Sequence, residues 1–140
     1  LDCNVLIMSA AVGDFAPNQI EKEKIKKKSK ATLTLELLPT EDVLQNIIKL
    51  KTKQLVVGFA AESENLTQSA LEKLRNKDLD LIVANDISSP GIGFQSDSNQ
   101  VILINRNEEI KKLPTLPKVE IAHILLNDIR PFLSGYSSNP

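Results

Sequence analysis

The chain has 140 residues, of which 41% are apolar and 25% are charged, and its 17 basic and 18 acidic side chains leave a net charge of −1. This composition is typical of one globular domain, and the balanced charge argues against a polyanion partner, so any basic surface must be local. The single cysteine cannot form an internal disulfide and suits a reducing cytosol. No apolar run approaches the roughly 20 residues that span a bilayer.

Hydrophobic patterning predicts strands that alternate with helices. Continuous apolar runs between polar residues indicate strands buried on both faces, and apolar residues spaced three or four apart indicate helices. The chain begins with a strand over 4–9, a half-buried strand over 31–38 and a helix over 39–51. A buried strand over 54–63, a helix over 66–77 and a second buried strand over 79–88 follow. A short strand over 101–107 and a helix over 118–130 complete the predicted elements. The alternation predicts an α/β fold with a doubly wound, mostly parallel sheet.

Several element ends carry specific expectations. Leucines alternate with polar residues across 33–37, which predicts one buried strand face. Thr40 is the candidate N-cap of the first helix, with acidic residues expected in the first turn. Pro131 is expected to stop the last helix, and residues 133–140 are expected to form a disordered tail.

Three buried strands end in small residues followed by polar ones, at 9–14, 58–62 and 84–86. In open α/β sheets, ligands bind outside the carboxyl ends of the strands. Small side chains let a ligand approach the backbone closely, although they also suit the packing of a strand against a helix. Their recurrence at the same topological position favours a pocket.

The segment 21–30 contains six lysines and follows the first strand end. It suits a mobile lid over a phosphate-bearing ligand, a solvated surface run or a nucleic-acid patch. The absence of interleaved aromatic residues weakens the last of these. Lys73 and Lys77, one helical turn apart, either reach a phosphate at the pocket rim or lie along the edge of the core.

Five segments, in order, resemble the phosphopantothenoylcysteine synthetase family: SAAVGDFAP, EKIKK, VVGFAAES, KDLDLIVANDIS and GFQSDSNQVILI. The resemblance runs from about Asn4 to Arg130. It implies a Rossmann-like α/β domain that forms homodimers. On this basis, residues 1–140 are expected to be the second half of a phosphopantothenate–cysteine ligase domain, truncated at its N-terminal side. The resemblance places FMN only on a separate decarboxylase half, which is absent here.

The resemblance implies a reaction that joins 4′-phosphopantothenate and cysteine in coenzyme A biosynthesis. An acyl-cytidylate forms from CTP, with Mg²⁺ accompanying the triphosphate, and the cysteine amine then displaces CMP. The residues leave the choice between CTP and ATP open, whereas the resemblance favours CTP. The alternative is a nucleotide-binding fragment without catalysis, because the first-half motifs are missing. The expected location is cytoplasmic, with no nucleic-acid or membrane partner.

The resemblance also implies roles for individual residues. Lys24 matches the catalytic lysine of a mobile flap and would also contact the nucleotide. Asn85 is a further candidate at a strand end that faces the same cleft, and no residue is assigned as a metal ligand. The other implied nucleotide-binding residues are Met8, Ser9, Ala10, Asp14, Glu41, Asp42, Val43, Leu44, Phe59, Lys73 and Lys77.

Overall fold

A computed structural model describes residues 3–10, 12–25, 32–88 and 96–133. Nine strands and three helices lie in these ranges. The strands are β1 (Val5–Met8), β2 (Phe15–Pro17), β3 (Leu37–Pro39), β4 (Leu55–Glu62), β5 (Leu81–Asp86), β6 (Ser98–Asn99), β7 (Val101–Asn105), β8 (Ile110–Lys112) and β9 (Leu116–Pro117). The helices are α1 (Val43–Ile48), α2 (Leu66–Asn76) and α3 (Lys118–Leu133).

The central sheet has five strands in the order β1-β4-β5-β7-β8. Strands β1, β4 and β5 are parallel, whereas β7 pairs antiparallel with β5 and β8 pairs antiparallel with β7. The α/β class is confirmed, but the sheet is mixed, so the expectation of a mostly parallel sheet applies only to its first three strands. The turn at 106–109 is too short for a parallel crossover, which needs a dozen or more residues.

Helices cover both faces of this sheet, as a doubly wound fold requires. Successive strand residues point to opposite faces, so β1, β4, β5 and β7 each contribute to two apolar clusters, whereas β8 is exposed. The cluster on the side of α1 and α2 includes Leu44, Val56, Ala70, Leu74, Ile82 and Ile104. The cluster on the side of α3 includes Val57, Val83, Leu103, Ile121, Leu125 and Ile129. The parallel strand ends therefore lie between two helical layers.

The strand expected over 31–38 is shorter and more exposed than its pattern indicates. Strand β3 begins at Leu37, residues 32–36 form no strand, and residue 31 lies outside the described ranges. Leu33 and Leu35 are 65% and 61% exposed. Strand β3 pairs with β2 in a separate two-stranded sheet. Alternation predicted which face is apolar, but burial needs a covering layer, and none of the described elements supplies one.

The N-cap of α1 is Asp42 rather than Thr40. Asp42 Oδ1 accepts a hydrogen bond from the Gln45 backbone N–H at 2.9 Å. The Thr40 hydroxyl instead donates to the Gly13 carbonyl. Because the helix begins two residues later than expected, its first turn contains no acidic residue. The expected cap residue therefore joins two loops.

Helix α3 runs through Pro131 and ends at Leu133, so the expected stop at this proline is wrong. The proline lies near the end of the helix, where the loss of one backbone N–H disrupts little of the remaining helix. Residues 134–140 of the expected tail lie outside the described ranges. Among the described residues, no helix is long and apolar enough to cross a membrane.

Candidate functional site

The carboxyl ends of β1, β4 and β5 lie side by side at one edge of the sheet. Met8 pairs with Gly58, which in turn pairs with Ile82. Two cavities open at this edge, one toward each helical layer, and we name them by the nearest helix. The α1-side cavity has a volume of about 380 Å³ and the α3-side cavity about 600 Å³.

The α1-side cavity gathers most of the residues that the sequence assigned to a nucleotide. Its wall comes from the end of β1, the loop before β2, the start of α1, the end of β4 and the C-cap of α2. The lining residues are Met8, Ala10, Val12, Asp14, Thr40, Glu41, Asp42, Val43, Leu44, Phe59 and Lys77. Sequence reasoning assigned no site role to Val12 or Thr40, although each lies within two residues of a predicted site residue.

Hydrogen bonds hold the two loops of this cavity together. The Thr40 backbone N–H donates to the Asp14 carbonyl at 2.9 Å, and the Thr40 hydroxyl donates to the Gly13 carbonyl. The next residue pair, Phe15 and Pro39, opens the ladder between β2 and β3. The small sheet thereby places Asp14 beside the start of α1.

Lys77 supplies the cationic side chain of the α1-side cavity. Its Nζ lies 2.9 Å from Asp42 Oδ2, so the ion pair links the end of α2 to the start of α1. The hydrogen bond from the Gln45 backbone N–H, followed by that from Lys77, holds the pKa of Asp42 below its usual value. The carboxylate is therefore ionised at neutral pH and keeps the ammonium group at the cavity wall.

Four predicted site residues lie outside the lining of this cavity. Lys73 forms an ion pair with Glu62 at the end of β4. Lys24 is exposed, and residues 26–30 of the lysine-rich segment lie outside the described ranges. Ser9 and Asn85 line the α3-side cavity instead.

The α3-side cavity lies between the sheet and α3, and its lining is mostly apolar. Ser9, Asn85, Asn99 and Lys118 contribute its polar side chains. Ser9 directly follows the end of β1, and successive residues of an extended backbone point to opposite sides, so Met8 and Ser9 line different cavities. This alternation could have indicated a second cavity from the sequence alone. Within the described ranges, no group of three or more His, Cys, Asp or Glu side chains could hold a metal ion.

Residues 1–132 match the family described as the DNA/pantothenate metabolism flavoprotein C-terminal domain. The chain belongs to this family, which confirms the resemblance seen in its sequence segments.

Individual relatives agree with this assignment. The chain is 38% identical over 126 residues to the coenzyme A biosynthesis bifunctional protein CoaBC of Bacillus subtilis, covering 90% of this chain and 31% of the relative. It is 43% identical over 124 residues to CoaBC of Borreliella burgdorferi, covering 87% and 30%. The chain thus spans under a third of the length of these relatives.

Its fold is similar to a crystal structure of the C-terminal domain of CoaBC. The TM-score is 0.73 at 33% sequence identity, and the match covers 96% of this chain and 57% of that one. The chain therefore resembles this family in its fold as well as in its sequence.

Proposed function

We propose that the chain is the second half of a phosphopantothenate–cysteine ligase domain of coenzyme A biosynthesis. Its substrates are 4′-phosphopantothenate, cysteine and CTP, and the product is 4′-phosphopantothenoylcysteine. The observation that carries the proposal is the convergence of the implied nucleotide-binding residues on the α1-side cavity. Relatives named as coenzyme A biosynthesis proteins support the same pathway.

The proposed chemistry needs charge neutralisation more than a nucleophile from the protein. A carboxylate oxygen of phosphopantothenate attacks the α-phosphorus of CTP, and pyrophosphate leaves with the electron pair of the broken P–O bond. The cysteine amine then attacks the acyl carbon, and CMP leaves. Positioned cations stabilise charge that develops in such transfers. Lys77 would meet the phosphates, and Lys24 is proposed as the catalytic lysine of the flap.

The carboxylates of the α1-side cavity fit a magnesium ion that arrives with the nucleotide. Asp14 and Glu41 line the cavity, and the described residues form no ion pair with either side chain. Mg²⁺ typically binds one or two carboxylates together with substrate phosphates, so a dedicated cluster of protein ligands is not required. When bound, the ion would supply charge neutralisation of the triphosphate.

The proposal includes a homodimer in the cytoplasm, without a nucleic-acid or membrane partner. The exposed leucines of the small β2–β3 sheet support self-association, because apolar patches on soluble proteins commonly mark interfaces. No role for FMN is proposed on this chain.

Calorimetric titration of the chain with CTP and MgCl₂, with ATP as the comparison, tests the nucleotide site. We expect CTP to bind more tightly than ATP. Lys77→Ala should weaken CTP binding by about tenfold, as the loss of a charge-assisted hydrogen bond predicts. Lys112→Ala, on exposed strand β8, is the matched control and should bind as the wild type does. The proposed site is wrong if CTP fails to bind or if Lys77→Ala has no effect.

Pyrophosphate release separates catalysis from binding alone. The chain is incubated with CTP, MgCl₂ and 4′-phosphopantothenate, and pyrophosphate is measured by a coupled assay. Release that depends on 4′-phosphopantothenate supports the ligase. CTP binding without release supports the alternative of a nucleotide-binding fragment without catalysis.

A further inference from the structure

Helix α2 presents two lysines on one face, and each forms an ion pair with a carboxylate from another element. Lys73 and Lys77 are one turn apart, since the Lys77 N–H donates to the Lys73 carbonyl at 3.0 Å. Lys73 pairs with Glu62 at the end of β4, and Lys77 pairs with Asp42 at the start of α1. Like charges one turn apart repel, so the two carboxylates stabilise the close approach of the ammonium groups.

Glu62 is held in place by the central sheet. It pairs with Asp86 in the ladder between β4 and β5, and its carbonyl accepts a hydrogen bond from the Ile87 N–H at 3.0 Å. Its side chain is 16% exposed, and the described residues give its carboxylate one partner, Lys73. Burial penalises an unpaired charge, so a largely buried carboxylate favours the paired arrangement. The strand end therefore fixes the position of the Lys73 ammonium group.

Lys73 reaches the edge of the sheet at which the α1-side cavity opens. Helical side chains tilt toward the N-terminus of their helix, and α2 begins four residues after the carboxyl end of β4. Strand residues two apart share a face, so Glu62 shares the face of Ala60, which packs in the cluster on the side of α1 and α2. Phe59, on the same strand, lines the cavity. The Lys73 ammonium group therefore lies on the same side of the sheet as this cavity, beyond the end of its strand wall.

The ion pair leaves Lys73 able to bind a second anion. An ammonium group has three N–H donors, and Glu62 accepts from one of them. The Lys73 side chain is 47% exposed, so its remaining donors can reach solvent. A phosphate oxygen can therefore bind Lys73 without displacing Glu62. Because the side chain is already ordered, it loses less conformational entropy on binding than a free lysine would.

We propose that Glu62 is a positioning residue of the nucleotide site. It acts through Lys73, which it holds one helical turn from Lys77, so that a triphosphate meets two ordered ammonium groups. Lys77 lines the α1-side cavity, and Lys73 would bind phosphate oxygens that extend beyond the lining. The inference rests on the proposed function, which supplies the nucleotide.

Glu62→Gln tests this role by calorimetric titration with CTP and MgCl₂. The substitution keeps the shape of the side chain and removes one negative charge. Loss of the charge alone would strengthen the binding of a polyanion, whereas loss of positioning weakens it, so the two effects differ in sign. We expect CTP to bind about threefold more weakly, because Lys73 must then be ordered on binding. Water can solvate the half-exposed Lys73 in this variant, so the domain should fold.

Glu108→Gln is the matched control. Glu108 pairs with Arg75 of the same helix, but from the turn between β7 and β8, and neither side chain lines the α1-side cavity. The variant removes the same charge and also breaks an ion pair of α2, and it should bind CTP as the wild type does. Equal weakening in Glu108→Gln and Glu62→Gln would overturn the specific role of Glu62.

A double-mutant cycle with Lys73→Gln separates positioning from a structural role. Glutamine keeps an N–H donor for Glu62 but loses the charge, so Lys73→Gln should weaken CTP binding about tenfold. If Glu62 acts through Lys73, Glu62→Gln should have no further effect in the Lys73→Gln background. A structural role would instead lower the thermal unfolding midpoint and weaken binding equally in both backgrounds, which would overturn the inference.

The outcomes distinguish this inference from the proposed function. If the wild type binds CTP and Glu62→Gln binds it as tightly or more tightly, the inference is wrong and the nucleotide site stands. If the wild type does not bind CTP, the proposed nucleotide site and the inference both fail.

Discussion

Asp42 has partners on two different helices. Its Oδ1 accepts from the Gln45 backbone N–H within α1, and its Oδ2 pairs with Lys77 at the end of α2. Because each carboxylate oxygen has a partner within the chain, the side chain fixes the cavity wall rather than reaching freely into the cavity. Its proposed effect on the nucleotide therefore acts through Lys77 and the start of α1.

Acid should weaken the fold at Asp42. The pKa of this carboxyl is lowered in the folded chain, by the Gln45 N–H first and Lys77 second. The stabilisation is therefore complete above the unfolded value of about 4 and is lost as the pH falls through the lower folded value. Urea unfolding of wild type and Asp42→Asn across pH 2–7 should show their stabilities converging in acid.

Urea unfolding at neutral pH tests the capping role of Asp42 separately from its charge. Asp42→Ala should cost about 1 kcal/mol through the lost cap, and Asp42→Asn should cost less because asparagine also caps helices. Parallel stability profiles for wild type and Asp42→Asn at every pH would contradict a role for the charge.

At the residue scale, the sequence predicted more of the site's composition than of its geometry. The small residues at strand ends and the family resemblance together identified most of the α1-side lining. The sequence did not separate Thr40 from Asp42 as the cap, because both residue types favour that position. Nor did it assign Asn85 to the opposite face, since that required the register of β5.

At the element scale, charged side chains fasten the amino ends of the parallel strands. Asp80, just before β5, accepts a hydrogen bond from the Val56 N–H of β4 at 2.7 Å. Its carboxylate also lies 2.8 Å from Lys51 Nζ and 3.1 Å from the Arg106 guanidinium. The side chains of Lys51 and Asp80 are only 10% and 19% exposed, so solvent screens this pair weakly.

Asp80→Ala should destabilise the chain by about 1–3 kcal/mol, because it leaves the Val56 N–H without its acceptor and removes the nearest carboxylate of Lys51, which keeps only its contacts with Asp78. Urea unfolding at pH 7 measures the change. The control is Asp128→Ala, which breaks a more exposed pair with Lys111 and should cost under about 1 kcal/mol. Equal losses in the two variants would show that the cluster near β5 has no special role.

Element prediction succeeded where the hydrophobic period extends over several residues. Strands β4 and β5 and helices α2 and α3 follow from their patterns. Strands β2, β6, β8 and β9 have only two or three residues, which is too short for a period to be recognised. The expected burial of β1 on both faces is incomplete, with Ile7 37% exposed, because β1 is at the edge of the described sheet.

At the scale of the whole molecule, apolar surface concentrates around the small β2–β3 sheet. Val12, Phe15, Leu37 and Leu38 are each about half exposed or more. Phe15 and Leu37 share one face of the small sheet and form an exposed apolar patch there, whereas Leu38 lies on the opposite face. Exposed apolar patches on soluble proteins commonly mark interfaces. The homodimer implied by the sequence resemblance would cover this patch. The patch adjoins Asp14, so association there would also restrain one wall of the α1-side cavity.

Phe15→Asp should therefore prevent self-association while leaving the domain folded, because Phe15 is 61% exposed and contributes little to the core. Sedimentation velocity should give a dimer for the wild type and a monomer for this variant. Val119→Asp is the matched control: it replaces an apolar residue that is 68% exposed on α3, away from the patch, and should remain dimeric. A monomeric wild type would refute the homodimer, and a dimeric Phe15→Asp variant would place the interface elsewhere.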